Sequence, residues 1–338
     1  MENEAFLKEL LDAVTVSGAI SLGSQAVKRE MEGCADEVIT DILDDTIAVL
    51  NRQAEKKILV TAHLDEIGLV ITTADENGYL YAIDRGGVIP QTYPGHRVQI
   101  HTEKGIVKGV VNGARELCRK EKLEVTDLAI DIGASSKKEA LELVRPGDTV
   151  TFDAGFEKLS GGRFAGRALD DRLGVFIIME AFKRAKAAGA KNGLYCAATA
   201  GEETTKNGAY FTAGRVKPDL AIVVDVTYCT DYPFGYTEKD AGAVRLGAGP
   251  VLCHSPIVPE SLNRRAQEIA DRRGIPVQYE VASRLSYTDA DKIHFENGGT
   301  PTLLVSIPLR YMHSPSEIAD EKDVEGCISL IAGLLEEM

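Results

Sequence analysis

The chain has no Cys-x-x-Cys pair, no cluster of Lys and Arg, and no apolar run approaching the ~18 residues of a membrane span. Each absence removes a class of function. Its six cysteines, Cys34, Cys118, Cys196, Cys229, Cys253 and Cys327, are widely scattered. That pattern fits reduced thiols in a cytoplasmic protein, not a disulfide frame or a zinc knuckle. The opening residues Met1-Glu2-Asn3-Glu4 lack the basic and apolar regions of a signal peptide. Lys and Arg total 38 against 52 Asp and Glu, a formal net charge of −14 that would repel a phosphate backbone. Neither a nucleic acid nor a membrane is therefore expected as a partner. The rest of the composition, 44% hydrophobic and 27% charged, is that of an ordinary globular protein, and 338 residues suffice for two domains.

Four apolar runs each lead into a residue able to bind a hard or borderline cation. Ile58-Leu59-Val60-Thr61-Ala62 precedes His63, and Leu194 to Ala200 precedes Gly201-Glu202-Glu203. Leu220 to Val224 precedes Asp225, and Thr302 to Ile307 is followed shortly by His313. Runs of this length, interleaved with helical stretches, read as buried parallel strands. In open α/β sheets, ligands gather beyond the carboxyl ends of such strands. One His or carboxylate at one strand end is unremarkable; four strand ends bearing one point to a metal site.

Helical spacing appears at Phe6, Leu7, Leu10, Leu11 and Val14, and again from about Ser24 through Val27, Met31 and Cys34. Between 67 and 162 the texture changes to short alternating segments cut by turn signals, among them Asn77-Gly78, a strong hairpin cue. Within it Ser136-Lys137-Lys138-Glu139 has the spacing of a capping box. The predicted fold is α/β: a mixed, largely parallel sheet flanked by helices, with a small β-barrel-like insertion. Residues 1–66 and 163–338 would form the α/β catalytic domain and 67–162 the inserted β-rich domain. A buried helix is expected from Asp170 to about Ala188, a further one from the capping signal Ser314-Pro315-Ser316-Glu317, and a last one over about 322–337.

The candidate metal ligands are His63, Asp170, Glu203, Asp225 and His313. Nitrogen and carboxylate oxygen without thiolate suit Zn²⁺, Co²⁺ or Mn²⁺ alike. Asp170, at a helix start, is favoured by the positive end of the helix dipole. Were Asp170 to bridge two ions, His63 and Asp225 would complete one site and Glu203 and His313 the other. Two such ions about 3.5–4 Å apart can share and activate one water. Glu202 is assigned to general-base work and Glu203 to the metal, although spacing alone allows the reverse. Asp65, two residues after His63, is placed to orient its imidazole. Each residue alone has a blander reading: a satisfied strand-end His63, a solvated Glu202-Glu203 pair, a helix-start Asp170. His96, His101, His254 and His294 lack such company and read as surface or structural. Gly247-Ala248-Gly249-Pro250 lacks the third glycine of a dinucleotide fingerprint and reads as a turn.

Together these motifs resemble the dinuclear metallo-aminopeptidases that build tetrahedral particles, glutamyl or leucyl aminopeptidase-like proteins of which some were once misnamed endoglucanases. The likeness runs over essentially the whole chain. It is carried by Ala62-His63-Leu64-Asp65-Glu66, Arg167-Ala168-Leu169-Asp170-Asp171-Arg172, Gly201-Glu202-Glu203, Val224-Asp225-Val226, Thr288-Asp289-Ala290 and Pro308 to Glu317. The resemblance implies that His63, Asp170, Glu203, Asp225 and His313 bind two divalent ions, Zn or Co. It also implies that Glu202 is the base and Asp65 catalytic, which resolves the ambiguity between the glutamates. It further implies short peptide substrates cut from the N-terminus and a homo-oligomer, a dodecamer, assembled partly through the inserted domain. The chain departs from the family at Thr204-Thr205-Lys206-Asn207, where an apolar, Gly-containing stretch is commoner, and at Ser286-Tyr287, where a glycine is usual. The alternative is a two-ion deacylase or carboxypeptidase-like hydrolase of N-acylated amino acids. A free against an acetylated N-terminus on one peptide separates the two.

Overall fold

Apolar runs that follow one another through the chain end up side by side in space. The computed structural model describes residues 1–338. In chain order its strands are β1 (Glu37–Thr40), β2 (Thr46–Leu50), β3 (Lys57–His63), β4 (Gly68–Ala74), β5 (Leu80–Arg85), β6 (Arg97–Thr102), β7 (Gly105–Val111), β8 (Ile130–Asp131) and β9 (Thr149–Phe152). After these come β10 (Glu157–Lys158), β11 (Arg163–Gly166), β12 (Gly193–Thr199), β13 (Leu220–Tyr228), β14 (Val251–His254), β15 (Gln278–Val281), β16 (Thr302–Leu309) and β17 (Glu317–Asp320). The main sheet has the order β1-β2-β12-β3-β13-β16-β14-β15. Its centre, β12, β3, β13 and β16, is parallel throughout, while β2 and β14 join antiparallel. Strands covered on both faces need no polar alternation, and every residue of β12 and β16 is buried.

The helix Leu169–Ala187 packs on β3, β12 and β13 and against the helices Glu4–Asp12 and Glu321–Glu337. Its Leu173, Phe176, Ile177 and Phe182 are fully buried, each removing enough apolar surface to contribute about 1.5–3 kcal/mol. The insertion is a closed antiparallel barrel in the order β4-β5-β8-β7-β6-β9. It has its own core, built on Leu69, Val98, Ile100, Ile130 and Val150. The Asn77–Gly78 turn joins β4 to β5, with Gly78 at φ 93° and the Asp75 carboxylate accepting the N–H groups of Asn77 and Tyr79. The observed fold is therefore the mixed, largely parallel α/β sheet with an inserted barrel that the residue pattern indicates.

Three local expectations are corrected. No helix starts at Ser314: after a turn, Glu317–Asp320 forms β17 against β11, and the last helix begins at Glu321, with the Asp320 carboxylate accepting the Lys322 N–H at 3.0 Å. The Glu317 carboxylate cannot serve a capping box because it is engaged elsewhere, as described below. Asp225 lies inside β13 and not at its end, because Thr227 and Tyr228 continue to pair with Pro308 and Leu309 of β16. Asp170 and Asp171 precede the regular helix, with non-helical backbone angles, and the peptide bond between them is cis. Asp171 caps the helix, its Oδ1 accepting the Gly174 N–H at 3.1 Å, which leaves the Asp170 carboxylate outside the helix.

Candidate active site

The five proposed ligands, separated by up to 250 positions in the chain, meet above the carboxyl ends of β3, β12, β13 and β16. Asp170 stands at the centre. Its Oδ1 lies 3.1 Å from His63 Nε2, and its Oδ2 lies 3.2 Å from His313 Nε2. Asp225 Oδ1 approaches His63 Nε2 at 3.8 Å, and Glu203 Oε1 approaches His313 Nε2 at 3.7 Å. The side chains thus fall into two groups on the two oxygens of one carboxylate. Donor atoms of His63, Asp170 and Glu203 all lie within 4.8 Å of one another, as do those of His63, Asp171 and Asp225.

Each residue is held by its backbone surroundings. His63 ends β3, and its Nδ1 donates to the Asp65 carbonyl at 2.9 Å, which turns Nε2 toward Asp170. His313 donates from Nδ1 to the Gly87 carbonyl at 2.8 Å. The Asp65 carboxylate lies 3.6 Å from the same Nδ1 and also accepts the N–H of Glu202 at 3.0 Å and of Glu203 at 3.4 Å. Glu317 ties two site residues together: Oε1 accepts the His313 N–H at 2.8 Å and Oε2 the Asp170 N–H at 3.1 Å. Asp45 accepts the Ala200 N–H at 2.8 Å and the Thr212 hydroxyl at 2.9 Å, fixing the start of the Gly201-Glu202-Glu203 turn.

Positive charge is short here. Asp170, Glu202, Glu203 and Asp225 are inaccessible or nearly so, facing two imidazoles and the Lys206 ammonium. Burial pushes the Asp225 carboxyl well up, with the Glu202 and Asp170 charges adding to it against the His63 ring. Burial and the Asp170 charge raise Glu203 in the same way. Burial opposes ionisation of Asp170 too, but hydrogen bonds from His313 and His63 outweigh it and hold that carboxyl well below the usual range. Burial works against a charged His313, yet the Asp170 carboxylate raises its ring to about 10. Glu203 Oε1 and Asp171 Oδ2 have no hydrogen-bond partner. Divalent cations would supply the missing charge and occupy the orphaned oxygens, so these residues fit a metal centre.

Lys206 pairs with Glu202 Oε1 and donates to the Tyr287 carbonyl at 2.9 Å, leaving Glu202 Oε2 3.9 Å from His63 Nε2. Asp289 is buried beside this pair; its Oδ2 accepts the Thr199 hydroxyl at 3.0 Å, and burial with the Glu202 charge lifts its carboxyl to about 7. Sequence reasoning missed Glu317, Asp45 and Gly87 as supports. Glu317 sat in a plausible capping pattern, and a carbonyl acceptor such as Gly87 has no side-chain signature at all.

A flanked parallel sheet with imidazole and carboxylate groups converging beyond its strand ends is the architecture of an α/β metallohydrolase. Residues 45–330 match the M42 glutamyl aminopeptidase family, and the chain belongs to that family. It is an aminopeptidase, a hydrolase of peptide bonds, which disfavours the deacylase alternative. Over 98% of this chain and 96% of the relative, it is 35% identical to a lysyl aminopeptidase of Pyrococcus furiosus. A TET aminopeptidase from Thaumarchaeota archaeon SCGC AB-539-E09 superposes with a TM-score of 0.92 at 32% identity, covering 99% of this chain and 96% of its own. The TET1 peptidase of Pyrococcus horikoshii, described as assembling into a tetrahedron or a large octahedral shell, gives 0.88 at 34% identity over 99% of each chain. No helix is long and apolar enough to cross a membrane.

Proposed function

We propose that His63 and Asp225 hold one divalent cation and His313 and Glu203 a second, with Asp170 shared between them. The observation that carries this reading is the placement of His63 on one oxygen of Asp170 and His313 on the other. When bound, Zn²⁺ or Co²⁺ ions in such a pair acidify a water and offset the negative charge that develops on the scissile carbonyl. Glu202 presents Oε2 to the same space, takes the proton from the attacking water, and delivers it to the leaving amine. Asp65 positions Glu202 and Glu203 through their N–H groups. The acidic surroundings receive the protonated α-amine of a short peptide, so a free N-terminus is required. Six unpaired cysteines suit a reducing, cytoplasmic setting. The segment 67–162 acts as a separate barrel domain governing access and assembly, and the chain forms a homo-oligomer, a dodecamer on the tetrahedral plan of its relative.

The test is a set of short peptides, each with a free or an acetylated N-terminus, given to metal-loaded protein and to Glu202→Gln. The free peptides should be shortened from the N-terminus and the acetylated ones left whole. The variant should retain its ions and lose about 10²–10⁴-fold in turnover. Cleavage of the acetylated series, or equal turnover by the variant, rejects the assignment.

A further inference from the structure

The two proposed ion positions differ in what builds them. Gly86 and Gly87 follow β5 of the barrel and press on one pair of ligands only. The Gly87 carbonyl takes the Nδ1 proton of His313 at 2.8 Å. A β-carbon on Gly87 would stand 2.7 Å from Cε1 of the His313 ring and 2.8 Å from its Nδ1. Gly86 has φ +82°, and a β-carbon there would stand 2.6 Å from Ile67 Cγ2 and 3.2 Å from Cβ and Oε2 of Glu203. A side chain at Gly87 has no room unless His313 moves, and one at Gly86 has none unless Ile67 moves, while also crowding Glu203.

The other pair owes nothing to the barrel. His63 takes its orienting bond from the Asp65 carbonyl at 2.9 Å, and Asp225 Oδ1 is held by the Val226 N–H at 2.8 Å. The histidines also differ in exposure, His63 at 1% and His313 at 21%. His313 stands in a left-handed conformation, φ 65°, beyond the end of β16, where no strand pairing restrains it.

We infer that the α/β host alone builds the His63–Asp225 position, whereas the barrel completes the His313–Glu203 position through the backbone of Gly86–Gly87. Seating of the barrel then controls how firmly the second ion is kept. The inference rests on the two-ion reading above. A methyl group at Gly87 pushes the His313 ring off its acceptor and away from Asp170, while His63 and Asp225 feel nothing. Losing the partner that orients a ligating histidine typically weakens metal affinity by about 10–100-fold.

The experiment titrates Zn²⁺ and Co²⁺ into metal-free wild-type protein, Gly87→Ala and His313→Ala, followed by calorimetry and by metal content after dialysis. Wild type should bind two ions per subunit in two separable steps. Gly87→Ala should weaken one step by about 10–100-fold and leave the other in place, and His313→Ala should abolish that same step. Two unaltered steps in folded Gly87→Ala, or equal weakening of both, overturn the inference. Fewer than two ions on wild type rejects the two-ion reading itself, which keeps the two failures distinct. Should Gly87→Ala not fold, wild type under graded chelation decides the matter: two steps of which His313→Ala removes only the weaker support the inference, and simultaneous loss of both ions refutes it.

Discussion

The carboxylate of Asp65 accepts the backbone N–H of Glu202 at 3.0 Å, and its second oxygen reaches the N–H of Glu203 at 3.4 Å. Asp65 is fully buried, so these charge-assisted bonds form without competing water. The end of β3 thereby sets the turn that follows β12. Asp65→Ala should leave the fold intact and lower kcat/KM by about 10–100-fold, with Asp65→Asn milder because it keeps one acceptor oxygen. Steady-state kinetics beside circular dichroism check this; full activity in Asp65→Ala would show that the turn holds its shape unaided.

Glu317 bonds the backbones of Asp170 and His313 with one oxygen each. Truncation to Ala leaves two N–H groups without their acceptor, each costing about 1–3 kcal/mol where water cannot reach. Glu317→Ala should melt well below wild type and bind metal weakly, whereas Glu317→Gln should recover much of both. Equal melting temperatures for Ala and wild type would contradict the buried-acceptor account.

Lys206 joins Glu202 to the Tyr287 carbonyl across two loops. By engaging Oε1 it leaves Oε2 free to face His63. Lys206→Met should reduce kcat by about tenfold, roughly 1.4 kcal/mol of barrier, with little change in KM. Lys206→Arg should restore part of the loss. A change confined to KM would place Lys206 on the substrate instead.

Asp45 gives a pH signature away from the ligands. Burial, then the neighbouring Asp41 charge, lift its carboxyl from 3.8 to about 7, against the Ala200 N–H, the Thr212 hydroxyl and Arg215. Because the folded value exceeds the unfolded one, the folded state binds more protons between these pH values. Its stabilising contribution is complete below about pH 4, falls as pH rises, and is gone above about pH 7. Asp45→Asn should therefore gain stability relative to wild type across that interval, by at most about 4 kcal/mol. Denaturant melts at pH 4, 5.5 and 7 measure the difference; a gap independent of pH would refute the assignment.

The fold was legible because its central strands are unbroken apolar runs and its barrel segment is cut by recognisable turns. Four of the five candidate ligands stand out for the same reason, since each comes after an apolar run, whereas Asp170 stands out only as a carboxylate at a helix start. What escaped notice lies one layer out. Ser314 to Glu317 matches a capping box in spacing, and only the nearby N–H groups of Asp170 and His313 draw Glu317 away into β17. Asp65 stands beside His63 as the spacing indicates, with its carbonyl 2.9 Å and its carboxylate 3.6 Å from Nδ1, but its hold on the N–H groups of Glu202 and Glu203 depends on the path of a turn from a distant strand. The acceptor at Gly87 is a peptide oxygen that every residue possesses, and its role arises from the docking of the barrel on the sheet.

In the sheet, β12, β3, β13 and β16 are consecutive neighbours although the end of β3 at His63 and the start of β16 at Thr302 are 239 positions apart along the chain. The five candidate ligands run from His63 to His313, so no short stretch of polypeptide contains them all. On the proposed ligand set, the centre is complete only once His313, beyond β16, has joined Asp170.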